Sequence, residues 1–573
     1  MKNILFSFAI PFSLLGVVLL WSPHKEPFSI MELKKNNAIS CGAYSQEYID
    51  TTAQGKFIGP LPGWGHYSYP ISTNSDSARY YFNQGLTMYY SYHMRESVAS
   101  FKEAARFDPN CAMAYWGQAL AMGPNYNAAY IYKMPRGVPA VLELMNQNIS
   151  HASAREKQLI EVMGRRYSPD TADRQRASLS MAYARGMREL ISQYPDDQDI
   201  TALYIDATML MHAWDFWNTD GSAKEWTTEL VDLCAGLLKK RPDHPAALHY
   251  YIHLTEASRQ PETAFANAEA LKRLFPGVAH MVHMSSHEYE RTGLYAQGVE
   301  ANDKADEALG HYDSLAKNLS LNQHSIHYFA VQTYCGLSGG MYKKGMSAAR
   351  HCRNRVSPTY DKTDDQYLYM IPVLTLVRLG KWEELLQDSI GPDARWPYAR
   401  VLYHFSRGLA FVYTGHPDSA AGQLSQLRND AKDPILTKRD IPFNTPLQGA
   451  GIAEGILNGA ILFSQKKYES AISSLQQAIQ TEDGLIYEEP RDWMIPARQF
   501  LGAYLLKLGR PSMAENVYRK DLVFNPGNGW SLLGLCNSLQ AQHKDAALAP
   551  YKAGYLRSFS QADRMPPGSV FME

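Results

Sequence analysis

Two octets in the middle of the chain, HYYIHLTE at 249–256 and HMSSHEYE at 283–290, both read His-x-x-x-His-x-x-Glu and begin 34 residues apart. On a helix, residues at i, i+4 and i+7 point roughly 0°, 40° and −20° around the axis, so each octet gathers its three side chains on one narrow face. A shared pattern at a fixed offset means that the chain builds the same helix twice in equivalent settings. Few folds do that other than a stack of helical repeats.

The flanking sequence carries the same unit. Residues 78–109 hold two amphipathic segments, with Tyr81, Gly85 and Met88 in the first, Val98, Phe101 and Ala104–Ala105 in the second, and a closing Pro109. Copies recur at 276–309, with a turn at Gly293-Leu-Tyr295, and at 498–526, with Gly502, Gly509, Ala514, Tyr518 and Pro526. Weaker copies turn at Gly340-Met-Tyr342, Gly380-Lys-Trp382, Thr414-Gly415-His416 and Lys466-Lys-Tyr468, and residues 153–240 read as further helix pairs. No alternating β pattern appears.

These markers resemble the tetratricopeptide repeat (TPR), a helix–turn–helix unit. The resemblance implies an all-α fold, a TPR-like α-solenoid over residues 76–573, in which each pair of helices buries its apolar face against its neighbours. Strings such as CAMAYWGQALAMGPNYN, HYYIHLTEAS, HMVHMSSHEY and EEPRDWMIPARQFLGA are also similar to a group of exported bacterial TPR proteins without an established activity. That narrower resemblance bears on fold and compartment and implies no reaction.

Composition narrows the partners. The 573 residues carry 56 Lys+Arg against 57 Asp+Glu with no basic block, which argues against nucleic acid as a ligand. An uncharged apolar run from Ile4 to Trp21 predicts a signal peptide or N-terminal membrane anchor over 1–22, placing the rest in the periplasm or tethered to the membrane. Residues 23–75, with Gly59-Pro60-Leu61-Pro62-Gly63-Trp64-Gly65, read as an extended arm or N-terminal cap. The six cysteines are scattered and read as buried thiols, Cys335–Cys352 being the candidate disulfide.

The repeat phase sets Val282, Ser286 and Tyr289 in packing positions, which leaves His283, His287 and Glu290 facing the concave groove. Their counterparts His249, His253 and Glu256 follow on the preceding unit. Adjacent helices pack about 8–10 Å apart, so four imidazoles and two carboxylates converge. His327 and Asp206 are expected to join this groove from flanking units, His280 lies one turn before His283, and Glu489 is a candidate from a charged turn. His66 and His93 reach the groove if the arm folds back.

Three readings stand. One is a protein, peptide or small-ligand groove, the usual role of such a scaffold. A second is a metal site on His249, His253, His283 and His287, taking a divalent transition metal (Zn, Cu, Ni or Fe), in a metal-binding protein or metal-dependent enzyme. The third is a satisfied polar network that stiffens the superhelix. Neither octet is His-Glu-x-x-His, and Walker A, Gly-x-Ser-x-Gly and dinucleotide-binding glycine patterns are absent.

Overall fold

The computed structural model describes Ile49 and residues 51–170, 172–321, 324–387, 391–439 and 443–572. The predicted signal or anchor segment, residues 1–22, lies outside the described residues, as does most of the arm before residue 51. No helix among the described residues is long and apolar enough to cross a membrane.

Helices begin where caps and prolines put them. Ser75 accepts the Ala78 N–H at the start of Asp76–Tyr90, and Asp197 accepts the Asp199 and Ile200 N–H groups at the start of Gln198–Met211. Proline occupies the first turn of Pro245–Thr255, Pro397–Tyr413, Pro446–Ser464 and Pro511–Phe524, where its missing N–H costs nothing. Among the described residues there are twenty-four α-helices, one isolated β-bridge (Trp217 to Ala223) and no strand. Consecutive helices pack as antiparallel pairs and pairs stack on pairs, so the described chain is a TPR-like helical superhelix.

The turns follow the glycines anticipated from the sequence. Gly293, Gly340, Gly380, Gly415 and Gly509 all sit at positive φ, between 63° and 84°, where a Cβ would be strained. Two turns break the pattern. Lys466 holds φ 62° and Tyr92 holds φ 56° at the places where the other units use glycine. The strain at Tyr92 coincides with a contact described below.

A glycine wedge ties the pairs together at both ends. A Cβ on Gly85 or Gly117 would stand 3.0 and 2.3 Å from the Phe101 ring, and a Cβ on Gly502 or Gly534 would stand 2.3 Å from the Tyr518 ring. The central aromatic thus lies flat between two bare backbones. Gly117→Ala is expected to overpack this seam and to lower stability by about 1–3 kcal/mol in chemical denaturation, with Phe101→Leu in the same chain recovering part of the loss.

Residues 51–75 carry no helix and reach from the first helix pair to the pair at residues 279–315. Leu61 N–H donates to Gln84 Oε1 (2.8 Å), Gly277 N–H to Gly63 O (3.0 Å), and Tyr312 Oη to Pro62 O (2.8 Å). Tyr67 of this segment and Tyr90 (2.8 Å) both donate to buried Asp199. Burial pushes the Asp199 carboxyl up to about 6 even though the two phenols favour its charged form. A carboxyl raised in this way contributes stability that is full below pH 4 and lost as pH rises through 6. Asp199→Asn is therefore expected to match wild type at pH 4 and to exceed it by about 1–3 kcal/mol at pH 7.5, read from urea midpoints.

Cys111, Cys234, Cys335, Cys352 and Cys536 are free and buried, as read from their scattered spacing, and the candidate pair Cys335–Cys352 is not a disulfide. Each sits on a different helix of its pair: Cys335 packs over Gly298 of the preceding unit, while Cys352 faces Ile326.

Candidate metal centre

Three first helices stack in sequence: Pro245–Thr255, Ala279–Thr292 and Ile326–Ser338. The first supplies His249 and His253, the middle one His280, His283 and His287, and the third His327. All six imidazoles are between 0 and 3% exposed. The open groove expected at these positions is therefore closed. Tyr92 and Tyr126 cover the cluster from the N-terminal pairs, their rings 4.5 Å from His249 and 4.8 Å from His253. From the far end of the sequence, residues 484–496 return to cover it, with Tyr487 Oη donating to Glu256 (3.2 Å) and Glu489 3.4 Å from His253.

The six histidines do not form the single four-histidine site anticipated. Their nitrogens gather as two triads, His249/His253/His280 and His283/His287/His327, within each of which the donor atoms lie inside 4.8 Å. His253, Glu256 and Glu489 form a third such group between them. The reason lies in the middle helix. His280 turns back toward the preceding helix, His283 packs against His327 of the following one, and His287 spans the two with its Nε2 beside His283, so each octet pair gains its third imidazole from a neighbour.

Hydrogen bonds fix how each ring is presented. His249 Nδ1–H donates to the Tyr90 carbonyl (2.7 Å), and His283 Nδ1–H donates to Asn302 Oδ1 (2.6 Å), whose amide is oriented by its own bond to Gly298 O (2.9 Å). His253 Nδ1 meets Glu256 Oε1 at 3.0 Å and His287 Nδ1 meets Glu256 Oε2 at 2.8 Å, so a single carboxylate steers one ring in each triad. With the Nδ1–H groups of His249, His253, His283 and His287 donating to these acceptors, the Nε2 lone pairs of these four rings turn inward. His287 Nε2 lies 2.9 Å from His283 Nε2, and His249 Nε2 lies 3.0 Å from His280 Nε2. His253 Nε2 is buried with no hydrogen-bond partner among the described residues.

Electrostatics favour neutral rings at four of the six histidines. Burial, and then neighbouring imidazoles, push His249, His280 and His283 well below the usual histidine range. Burial also lowers His287 to about 4 against the pull of Glu489. Burial acts in the same sense on His253, but there Glu489 and Glu256 prevail and raise it to about 9.

The other anticipated residues divide. His327 joins the second triad. Glu290, the repeat counterpart of Glu256, joins neither triad; burial raises its carboxyl against the pull of Arg291 and Arg491. Asp206 is buried on a separate network, accepting from Tyr89 (2.6 Å) and Tyr250 (3.4 Å). His66 is exposed on the arm. His93 reaches the site through its own helix turn and not through the arm: its Nε2 accepts the His280 backbone N–H (3.2 Å) while Glu96 holds Nδ1 (2.7 Å). Asn302, Tyr92, Tyr126 and Tyr487 have no marker in the sequence. Glu489 was flagged by the excess charge of its turn.

The chain is thus a helical-repeat scaffold enclosing a histidine cluster. No protein-family model matches it, and no curated protein matches it in sequence. Solved structures similar to it include the human IFIT1 dimer with m7Gppp-AAAA (11% identity, covering 86% of this chain and 91% of that one, TM-score 0.31) and yeast Tom70 (10%, 84% and 93%, 0.29). The APC/C hetero-tetramer Cut9–Hcn1 is a third (12%, 86% and 97%, 0.26).

Proposed function

We propose that this protein binds transition-metal ions at a paired centre, with His249, His253 and His280 as one donor set and His283, His287 and His327 as the other. One observation carries the reading. The Nδ1 protons of His283 and His287 are committed to Asn302 and Glu256, which leaves two buried Nε2 lone pairs 2.9 Å apart. Two such lone pairs repel unless a cation lies between them. Metal–nitrogen bonds of about 2.0–2.1 Å set at right angles place their nitrogens about 2.9 Å apart, so the spacing fits a shared ion. The orphaned His253 Nε2 and the carboxylate-steered rings are the other marks of imidazole ligands.

Imidazole-rich donor sets suit Zn, Cu, Ni or Fe, and an ion held by three of them supplies a Lewis acid or a redox couple. The chain's own part is to hold His249, His280, His283 and His287 neutral, to steer His253 and His287 through Glu256, and to exclude bulk water with Tyr92, Tyr126 and Tyr487. The alternative of a protein, peptide or small-ligand groove at these same residues needs an open inner face, and their burial counts against it. The apolar run Ile4–Trp21 supports a place outside the cytoplasm, periplasmic or membrane-tethered. Metal analysis of the purified protein, set out in the Discussion, tests the reading.

A further inference from the structure

A second cluster lies on the far side of Tyr487. Arg259 and Arg491 line a cavity of about 70 Å³ walled by Trp217, Tyr487, Trp493 and Phe524. Arg291 stands beside them, since Arg291 and Arg491 both donate to the Phe524 carbonyl (3.4 and 2.9 Å). The Arg259 guanidinium lies 3.9 Å from the centre of the Phe524 ring, and those of Arg291 and Arg491 lie 5.2 and 5.6 Å from that of Tyr487.

Among the described residues these three cations make no side-chain ion pair, although the Glu290 carboxyl acts on Arg291 and Arg491 through space. Their hydrogen bonds among the described residues go to backbone carbonyls: Thr219 for Arg259, Glu256 and Ser258 for Arg291, and Phe524 for both Arg291 and Arg491. Three carboxyls, Glu482, Asp483 and Asp492, line the same cavity, and the two aspartates are engaged by other cations. Asp483 is bound by both nitrogens of Arg498, and Asp492 by Arg439 and Asn444. Burial raises Glu482 to about 8 while its carboxyl accepts the Ala497 N–H (2.8 Å), and burial raises Glu290. The Nε atoms of Arg259 and Arg491 are buried without a hydrogen-bond partner among the described residues. Burial and mutual repulsion lower Arg259 and Arg291, Arg491 acting on both. Clustered, partly buried positive charges without a paired anion are costly, and guanidinium forks match oxyanions in shape.

We propose that this cavity is an anion site that takes a dianionic tetrahedral oxyanion, as free phosphate or as the phosphoryl head of a small phosphomonoester. The cavity holds about five waters' worth of space, the size of such a group. Its inner wall, Tyr487, donates to Glu256, so a bound anion sits against the carboxylate that steers His253 and His287. The site goes beyond the metal reading and does not depend on it.

The test is calorimetry and thermal melting of the full chain with inorganic phosphate, sulfate and phenyl phosphate, against sodium chloride at matched ionic strength. Phosphate and sulfate are expected to raise the melting temperature where chloride does not. Phenyl phosphate binding at least as tightly as phosphate assigns a phosphomonoester; phenyl phosphate failing where phosphate binds assigns the free ion. Arg259→Gln is expected to weaken phosphate at least about tenfold, as losing a charge-assisted pair does. It is also expected to raise the melting temperature of the phosphate-free protein, because a repelling charge is gone. Should that variant not fold, Arg491→Lys keeps the charge, loses the fork and is expected to weaken phosphate similarly. The absence of any shift beyond chloride in wild type, or wild-type phosphate affinity in the Arg variant, overturns the site. Repeating the titration on chelator-stripped protein separates this outcome from failure of the metal reading.

Discussion

Protein produced with a full supply of transition metals is expected to retain about two ions per chain, and His253→Ala/His287→Ala to retain none. Each substitution removes one imidazole from a different triad. Three-nitrogen sites that lose a ligand drop sharply in affinity, and the nearby donors that remain are the carboxylates of Glu256 and Glu489 in place of imidazoles. The measurement is elemental analysis after gel filtration, with circular dichroism to verify that the double variant is helical. Stripping the wild type with a chelator should lower its melting temperature, since an ion at a hundred times its dissociation constant stabilises by about 2.7 kcal/mol per site. Wild-type protein without stoichiometric metal would falsify the proposed function.

The second large effect concerns Glu256. Glu256→Gln keeps the shape of the side chain but turns one of its two acceptors into a donor, so either His253 or His287 loses the partner for its Nδ1–H. Carboxylate partners of this kind are worth about 10–100-fold in metal affinity. A dye-competition titration is expected to show that loss for Glu256→Gln and near-wild-type affinity for Glu290→Gln. Equal damage from the two would mean that the carboxylates act through the scaffold and not through the rings.

The contrast between these two glutamates shows where sequence reading ends. In the octets they are the same position of the same motif, and periodicity cannot tell them apart. Glu256 follows the last residue of a short helix and bends toward the histidines, whereas Glu290 lies within a longer helix, its raised carboxyl under the pull of Arg291 and Arg491. His280 was visible one turn from His283, yet its direction depends on which neighbouring helix it meets. Tyr92 is legible only afterwards, as a residue holding a glycine conformation with its ring against His249.

By itself the sequence determined the helical repeat, its turns and the placing of His249, His253, His283 and His287 on facing helix surfaces. Those depend on spacing along one chain and on the short reach of helix geometry. The tertiary structure decided that the groove is closed, that the rings divide into two triads and that Glu489 and Tyr487 reach them from the far end. Those contacts join residues more than two hundred positions apart, as between Tyr487 and Glu256, and arise where a superhelix curls back on itself. No local pattern encodes that closure, because it sums small rotations contributed by every stacked pair between the two ends.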